Sequence, residues 1–211
     1  MPNTRQGPGV GSSSNTDTGR PAGFAVGSDE AICWDRFTVA EAAGKIRLEP
    51  DDVLLFTVGP DAKTLRNKFA STMKDYKNVD LKHVTNVYAN PAYTDAQNTY
   101  DFIHPDKLWV TAGIKSEKFA ALASRRPKEL HVLFSKADGD NLPDDSYWTH
   151  YEVNVATQEG TQVERIVRWD KDTALNKVKA GEDGVVIWSK GDAPLSHVPD
   201  YTIDPRKGGK P

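Results

Sequence analysis

The chain has 211 residues, of which 37% are hydrophobic and 27% are charged, and its formal net charge is −3. This composition is typical of one globular domain rather than of a disordered chain. The small negative charge gives no general attraction to polyanions, so no membrane partner is expected and nucleic acid is disfavoured. Cys33 is the single cysteine, which excludes an internal disulfide. With neither a membrane-spanning apolar run nor an apolar signal segment, we expect a cytoplasmic protein.

Composition divides the chain into three parts. Residues 1–28 are rich in Gly, Ser, Asn, Thr and Pro, which predicts a disordered leader. Residues 191–211 contain repeated prolines and predict a loose C-terminal tail. A single α/β domain is expected over residues 29–190.

In the first half of this domain, the pattern alternates between strand and helix. Apolar runs bounded by Gly, Pro or polar residues predict short strands, at 31–37, 53–58, 79–88, 108–111 and 130–134. Capping residues and helical spacing predict helices between them, from Thr38 to about Arg47, across Leu65–Tyr76, from Asn90–Pro91 to Ile103, and across Phe119–Ala123. Alternation of this kind favours a parallel or mixed sheet covered by helices.

The last part of the domain has a different pattern. Residues 147–155 and 163–169 each alternate apolar and polar, with a Gln-Glu-Gly turn region between them, which predicts an antiparallel hairpin. A helix at 172–179 and a buried strand at 185–188 follow. The fold class expected is therefore α/β, with a mixed, partly parallel sheet, flanking helices and a C-terminal antiparallel hairpin.

Two strand-to-helix corners share the pattern Thr-x-Gly and are the candidate ligand site. In an open α/β sheet, ligands bind outside the carboxyl ends of the strands, where helix N-termini attract anions. The hydroxyls and amides at these corners suit a phosphate or carboxylate, and the residues concerned are Thr57, Gly59 and Asp61 at the first corner and Thr111, Gly113 and Ser116 at the second. The alternative is ordinary turn and cap chemistry.

Two further groups are candidates for chemistry. Asp138 and Asp140 lie in an acidic loop, and their carboxylates suit a divalent metal such as Mg²⁺; the alternative is a solvated polar loop. His150 and Glu152 alternate in the expected hairpin, so both face one side and form a candidate acid/base pair; the alternative is a wet sheet face.

Other chemistry-bearing residues are assigned structural roles. Lys63 and Arg66 are predicted to lie on the solvent face of their helix, and Cys33 is predicted to be buried.

Two classes of function remain open from the sequence. The first is an enzyme acting on a phosphorylated or otherwise anionic small molecule, such as a nucleotide, at the Thr-x-Gly corners. The second is a non-catalytic interaction module (an effector, inhibitor or immunity-type protein) that binds a protein partner through its acidic surface and aromatic hairpin. A pocket with convergent polar groups favours the enzyme. A flat exposed patch with Trp148, Tyr151 or Trp169 favours the module.

Overall fold

A computed structural model describes residues 19–21, 23–44, 48–49, 51–126, 128–136, 139–195 and 201–207. Among these residues, no helix combines the length and the apolar character needed to cross a bilayer.

The centre of the molecule is a five-stranded mixed sheet with the order β2-β1-β3-β4-β5. The strands are β1 (Val53–Val58), β2 (Leu81–His83), β3 (Glu129–Phe134), β4 (Arg165–Asp170) and β5 (Val185–Ser189). β1 pairs in parallel with both β2 and β3, and β3 pairs in parallel with β4, whereas β4 and β5 are antiparallel. The expected α/β class with a mixed, partly parallel sheet is confirmed.

Helices cover both faces of this sheet. They are α1 (Asp29–Ala42), α2 (Pro60–Lys77), α3 (Val84–Val87), α4 (Pro91–Ile103), α5 (Leu108–Ser124), a π-helical turn (Trp148–Glu152), α6 (Val153–Thr157) and α7 (Lys171–Lys179). A short 3₁₀ turn spans Pro205–Lys207. The predicted start of α4 is confirmed, because the Asn90 side chain accepts a hydrogen bond from the Ala92 N–H at 2.9 Å.

Successive residues of each central strand enter two different cores. Leu55, Leu133 and Trp169 face α2 and α7, together with Phe69 of α2. Residues at the alternate positions, such as Phe56, pack with α1, α4, α5 and α6 on the opposite face. The mainly apolar runs at 53–58 and 130–134 therefore belong to strands buried on both faces, as predicted.

The expected strand at 31–37 is wrong, since these residues lie inside α1. Ser28 caps the helix by accepting from the Ala31 N–H at 3.2 Å. Trp34 and Phe37 then fall on the buried face at helical spacing. Thr38 does not cap a second helix, because its hydroxyl donates to Trp34 O one turn earlier, at 3.0 Å.

The expected strand at 108–111 is also wrong, and with it the second Thr-x-Gly corner. Residues 108–124 form the single helix α5, which is buried along much of its length. Gly113 does not end a strand: a Cβ at this position would lie 2.9 Å from ring carbons of both Tyr151 and Tyr201. The glycine is thus explained by close packing of aromatic rings on the helix.

The pairing expected between residues 147–155 and 163–169 is wrong. The first segment is the π-helical turn followed by α6, while the second contributes β4. The antiparallel pair at the C-terminal side of the sheet is instead formed by β4 and β5, which are joined through α7. Residues 148–153 are all buried. Their alternation of apolar and polar residue types therefore does not correspond to one solvent-exposed and one buried face of a sheet.

The expected extended segment 79–88 is shorter than predicted. Only Leu81–His83 forms a strand, and the chain turns directly into α3 after it. This early turn brings the residues after His83 to the carboxyl edge of the sheet.

Segments near both ends of the chain pack on the domain. Phe24 is buried, and its ring contacts Trp34 of α1 and Tyr201 at centroid distances of 6.2 Å and 4.6 Å. Most of the expected leader, and residues 196–200 and 208–211 of the expected tail, lie outside the described residues.

Candidate functional site

A cavity of about 480 Å³ lies at the carboxyl ends of β1 and β2. The chain runs from β1 to β2 on one side and later returns to place β3 on the other side of β1, so the direction of winding reverses between β1 and β3. Ligands of open α/β sheets bind outside the carboxyl ends of the strands, and this cavity lies there, on the β2 side of β1. Volumes of this size accommodate small molecules.

The first Thr-x-Gly corner forms one wall of this cavity. Thr57 and Gly59 line it, and Gly59 is the residue before α2. The backbone of Gly59 has φ 87°, and a Cβ there would lie 2.5 Å from Ser135 Oγ at the end of β3. The same Ser135 hydroxyl accepts from the Ala62 N–H at 2.9 Å, so it serves as the cap that α2 otherwise lacks.

Four cationic side chains line the cavity: Lys63, Arg66, Lys115 and Arg206. Lys63 and Arg66 form no ion pair within the described residues. Lys115 donates to Gln97 Oε1, and burial lowers its pKa. Arg206 is held by Asp204 through two hydrogen bonds of 2.9 and 2.8 Å. Among the described residues that line the cavity, Asp145 is the one exposed carboxylate, so this part of the lining is electropositive.

A buried histidine lines the same cavity. His83 Nε2 donates to Asn67 Oδ1 at 3.1 Å, while Nδ1 has no hydrogen-bond partner among the described residues. Burial lowers the pKa of His83 to about 4, with a smaller contribution from the nearby Arg66 charge. His83 is thus a neutral hydrogen-bonding group at neutral pH.

A buried carboxyl group, that of Glu152, also lines the cavity. Glu152 is 6% exposed and is the last residue of the π-helical turn, a local geometry that is frequent at functional sites. Burial raises its pKa to about 8, and a hydrogen bond from the Ser116 hydroxyl lowers it only in part. Glu152 is therefore largely a neutral carboxylic acid at neutral pH.

The structure separates the two members of the predicted acid/base pair. His150 is buried and donates from Nε2 to Asp144 O at 2.7 Å, and it does not line the cavity. The two side chains are two residues apart on a helical turn, so they do not share one face as they would in a strand.

Three of the predicted ligand-binding residues do not line the cavity either. The Thr111 hydroxyl donates to Asp101 Oδ1 at 2.8 Å, and Gly113 packs under aromatic rings. Asp61 forms an ion pair with Lys171 on the outer side of the α2 N-terminus. The predicted set that does share the cavity is Thr57, Gly59, Ser116 and Glu152.

The structure describes only one residue of the predicted metal-binding pair. Asp138 lies outside the described residues, while Asp140 is exposed and accepts from the Leu142 N–H at 3.0 Å. Within the described part of the chain, no group of three or more His, Cys, Asp or Glu side chains is arranged to hold a metal ion.

A larger cavity of about 720 Å³ lies elsewhere, between Pro21, Phe24, Tyr201 and the helices α5 and α6. Part of its wall is formed by chain segments that continue directly into residues outside the described ranges. The cavity at the sheet edge is instead enclosed mainly by strands and helices of the domain, and it holds the cluster of cations and the buried carboxyl.

Comparisons with protein-family models, with curated proteins and with solved structures find no match to this chain.

Several cavity residues are absent from the candidates taken from the sequence. Lys63 and Arg66, which the sequence places on the solvent face of α2, line the cavity from the first two turns of this helix. Lys115 belongs to an α5 face that also carries Ala112, Ser116 and Phe119. That spacing is a helical signal, and it becomes readable once residues 108–124 are treated as one helix.

Proposed function

We propose that this protein is an enzyme acting on a phosphorylated or otherwise anionic small molecule, such as a nucleotide, bound in the cavity at the carboxyl edge of β1 and β2. The supporting observation is that Lys63 and Arg66, which form no ion pair among the described residues, line one cavity with the buried carboxyl of Glu152 at the carboxyl ends of β1 and β2. Cations at the mouth favour an anionic group, and the N-terminus of α2 adds its positive dipole end. We further propose a cytoplasmic location, consistent with the free, buried Cys33.

An enzyme is favoured over a passive binding protein because of Glu152. A carboxyl that remains neutral near pH 7, inside a cleft, is suited to exchange a proton with a bound molecule. The aromatic surface expected of an interaction module does not support that alternative, since Trp148, Tyr151 and Trp169 are all buried, at no more than 2% exposed.

Thermal unfolding with a panel of phosphorylated small molecules tests this function. The panel contains inorganic phosphate, ribose 5-phosphate and adenosine 5′-monophosphate. A ligand at about 100 times its Kd should stabilise the protein by roughly 2.7 kcal/mol, which is a shift of about 5–11 °C. Replacement of Arg66 by Ala should weaken binding about tenfold, because a charge-assisted hydrogen bond is lost.

A matched control lies on the same helix. Lys68 is exposed on α2 and does not line the cavity, so Lys68→Ala removes one positive charge without touching the site. We expect Lys68→Ala to leave the ligand-induced shift intact. Equal losses in the Arg66 and Lys68 variants, or no shift with any phosphorylated probe, would argue against a specific anion site in this cavity.

A further inference from the structure

Hydroxyl groups from separate elements converge on the cavity at the carboxyl ends of β1 and β2. Thr57, Thr85 and Tyr147 all line it, and none of their three hydroxyls forms a hydrogen bond with another described residue. Thr57 is half-buried near the end of β1, Thr85 is exposed in α3, and Tyr147 is half-buried just before the π-helical turn. The cavity is therefore lined by groups that can both donate and accept a hydrogen bond.

The buried carboxyl group of Glu152 adds further hydrogen-bonding capacity to this lining. Its side chain is 6% exposed, and within the described structure Ser116 is its hydrogen-bonding neighbour. The two oxygens of a carboxyl can take part in several hydrogen bonds, and burying a polar group without partners costs free energy. A bound molecule with hydroxyl groups would supply the partners that the protein does not.

The cations that are open to a ligand lie on one wall of the cavity. The side chains of Lys63 and Arg66 on α2 form neither an ion pair nor a hydrogen bond with another described residue. Lys115 and Arg206 also line the cavity, but both are engaged in hydrogen bonds to other side chains of the protein. One pair of neighbouring cations suits a ligand with a single phosphate group.

The two phenylalanines of the cavity are already packed and leave no open face for a flat ring. Phe56 and Phe119 are 2% and 1% exposed, and their ring centroids lie 5.0 Å apart. Phe56 also packs on Trp148 at 5.2 Å, and the ring of Tyr147 packs on that of Tyr151 at 5.7 Å. Bases are commonly held by stacking on aromatic side chains. The lining instead favours a ligand that is recognised through hydroxyl groups.

We propose that the ligand of this cavity is a monophosphorylated sugar. Its phosphate binds Arg66 and Lys63 on the α2 wall. Its hydroxyl groups exchange hydrogen bonds with Thr57, Tyr147 and Glu152, because each sugar hydroxyl is both a donor and an acceptor. This inference rests on the proposed function and narrows the substrate class from phosphorylated small molecules in general to sugar phosphates.

The test compares three probes by calorimetric titration of the full chain at neutral pH: ribose 5-phosphate, n-pentyl phosphate and adenosine 5′-monophosphate. The first two are equal in carbon number and in charge, but the pentyl chain has no hydroxyl groups. Ribose 5-phosphate should bind at least about thirtyfold more tightly than pentyl phosphate, because an alkyl chain leaves the polar lining unpaired. Adenosine 5′-monophosphate should bind no more than about threefold more tightly than ribose 5-phosphate, since the base adds no stacking contact.

Variants that remove a hydroxyl while keeping the shape of the side chain assign the contacts. Thr57→Val and Tyr147→Phe should each weaken ribose 5-phosphate about fivefold, because one uncharged hydrogen bond is lost, and should leave pentyl phosphate unchanged. Tyr76→Phe is the matched control, since Tyr76 is exposed on α2 outside the cavity, and it should change neither affinity. Glu152→Leu should lower the preference for ribose 5-phosphate at least about tenfold, whereas Glu152→Gln, which keeps a donor and an acceptor, should retain it within about threefold.

Failure of this inference and failure of the proposed function give different results. Pentyl phosphate that binds as tightly as ribose 5-phosphate would overturn the sugar while leaving the anion site in place. Adenosine 5′-monophosphate that binds more than about tenfold more tightly than ribose 5-phosphate would do the same, because the base would then be recognised. A preference for ribose 5-phosphate that survives Thr57→Val, Tyr147→Phe and Glu152→Leu unchanged would also contradict the proposal. If none of the three probes binds, the proposed function and this inference fail together.

Discussion

The neutral state of Glu152 has a measurable effect on stability in the absence of any ligand. Burial raises its pKa from 4.5 to about 8. Below about pH 4.5 the carboxyl is protonated in both the folded and unfolded chains, so it adds no pH dependence. As the pH rises from there toward 8, the unfolded chain ionises at this group and the folded chain does not, so stability is progressively lost.

The size of this loss follows from the shift in pKa. Each pH unit in that window costs about 1.4 kcal/mol, so the group lowers the free energy of unfolding by about 4 kcal/mol between pH 5 and pH 9. Glu152→Gln removes this contribution, because the amide has no charge to lose. The stability of the variant relative to the wild type should therefore rise by about 4 kcal/mol over the same range.

Urea unfolding followed by tryptophan fluorescence at several pH values measures this difference. Glu159→Gln is the matched control, because Glu159 is exposed and its replacement should leave the pH dependence of stability unchanged. Parallel curves for wild type and Glu152→Gln from acidic to alkaline pH would refute the reasoning, since they would mean that the carboxyl ionises equally well in the folded and unfolded chains.

Three further experiments test how tightly individual residues are packed in the domain. Gly59→Ala should lower the free energy of unfolding by about 1–3 kcal/mol in urea titrations, because φ is 87° and the new Cβ would lie 2.5 Å from Ser135 Oγ. Gly113→Ala should cost a similar amount, about 1–3 kcal/mol, since its Cβ would lie 2.9 Å from a ring carbon of Tyr151; unchanged thermal stability would contradict this packing. Cys33 is 3% exposed and burial raises the pKa of its thiol to about 12, so a thiol reagent should label the native protein at least about a hundredfold more slowly than the urea-unfolded chain.

Several elements were predictable from local sequence because their signals are local. The strand at 53–58 is apolar except for Thr57 and ends at Gly59-Pro60, and the strand at 130–134 is a similar short run with one polar residue, His131. The helix from Pro91 has its own cap in Asn90, and α7 has clear helical spacing. Asn90, Gly59 and Pro60 act through the neighbouring backbone, so their signals are readable from the local sequence.

The secondary structure of the largely buried segments was not predictable in the same way. Residues 108–124 and 148–157 are helical and largely buried, and their short apolar stretches do not reveal a helical period by themselves. A short apolar run that is buried everywhere is compatible with either a strand or a helix, and packing partners decide between them. The glycine at 113 shows this, because its role depends on the rings of Tyr151 and Tyr201, which lie far away in sequence.

The amino-acid sequence by itself determined the α/β class and one corner of the candidate site, at Thr57 and Gly59, because strand and helix signals there are local. Only the tertiary structure brought Ser116 and Glu152 to that corner, along with the cations of α2 and the buried His83. It also decided the chemistry of Glu152, since a carboxyl becomes a neutral acid through desolvation by residues from several elements. That desolvation is a property of the packed fold, and no stretch of sequence around residue 152 carries it.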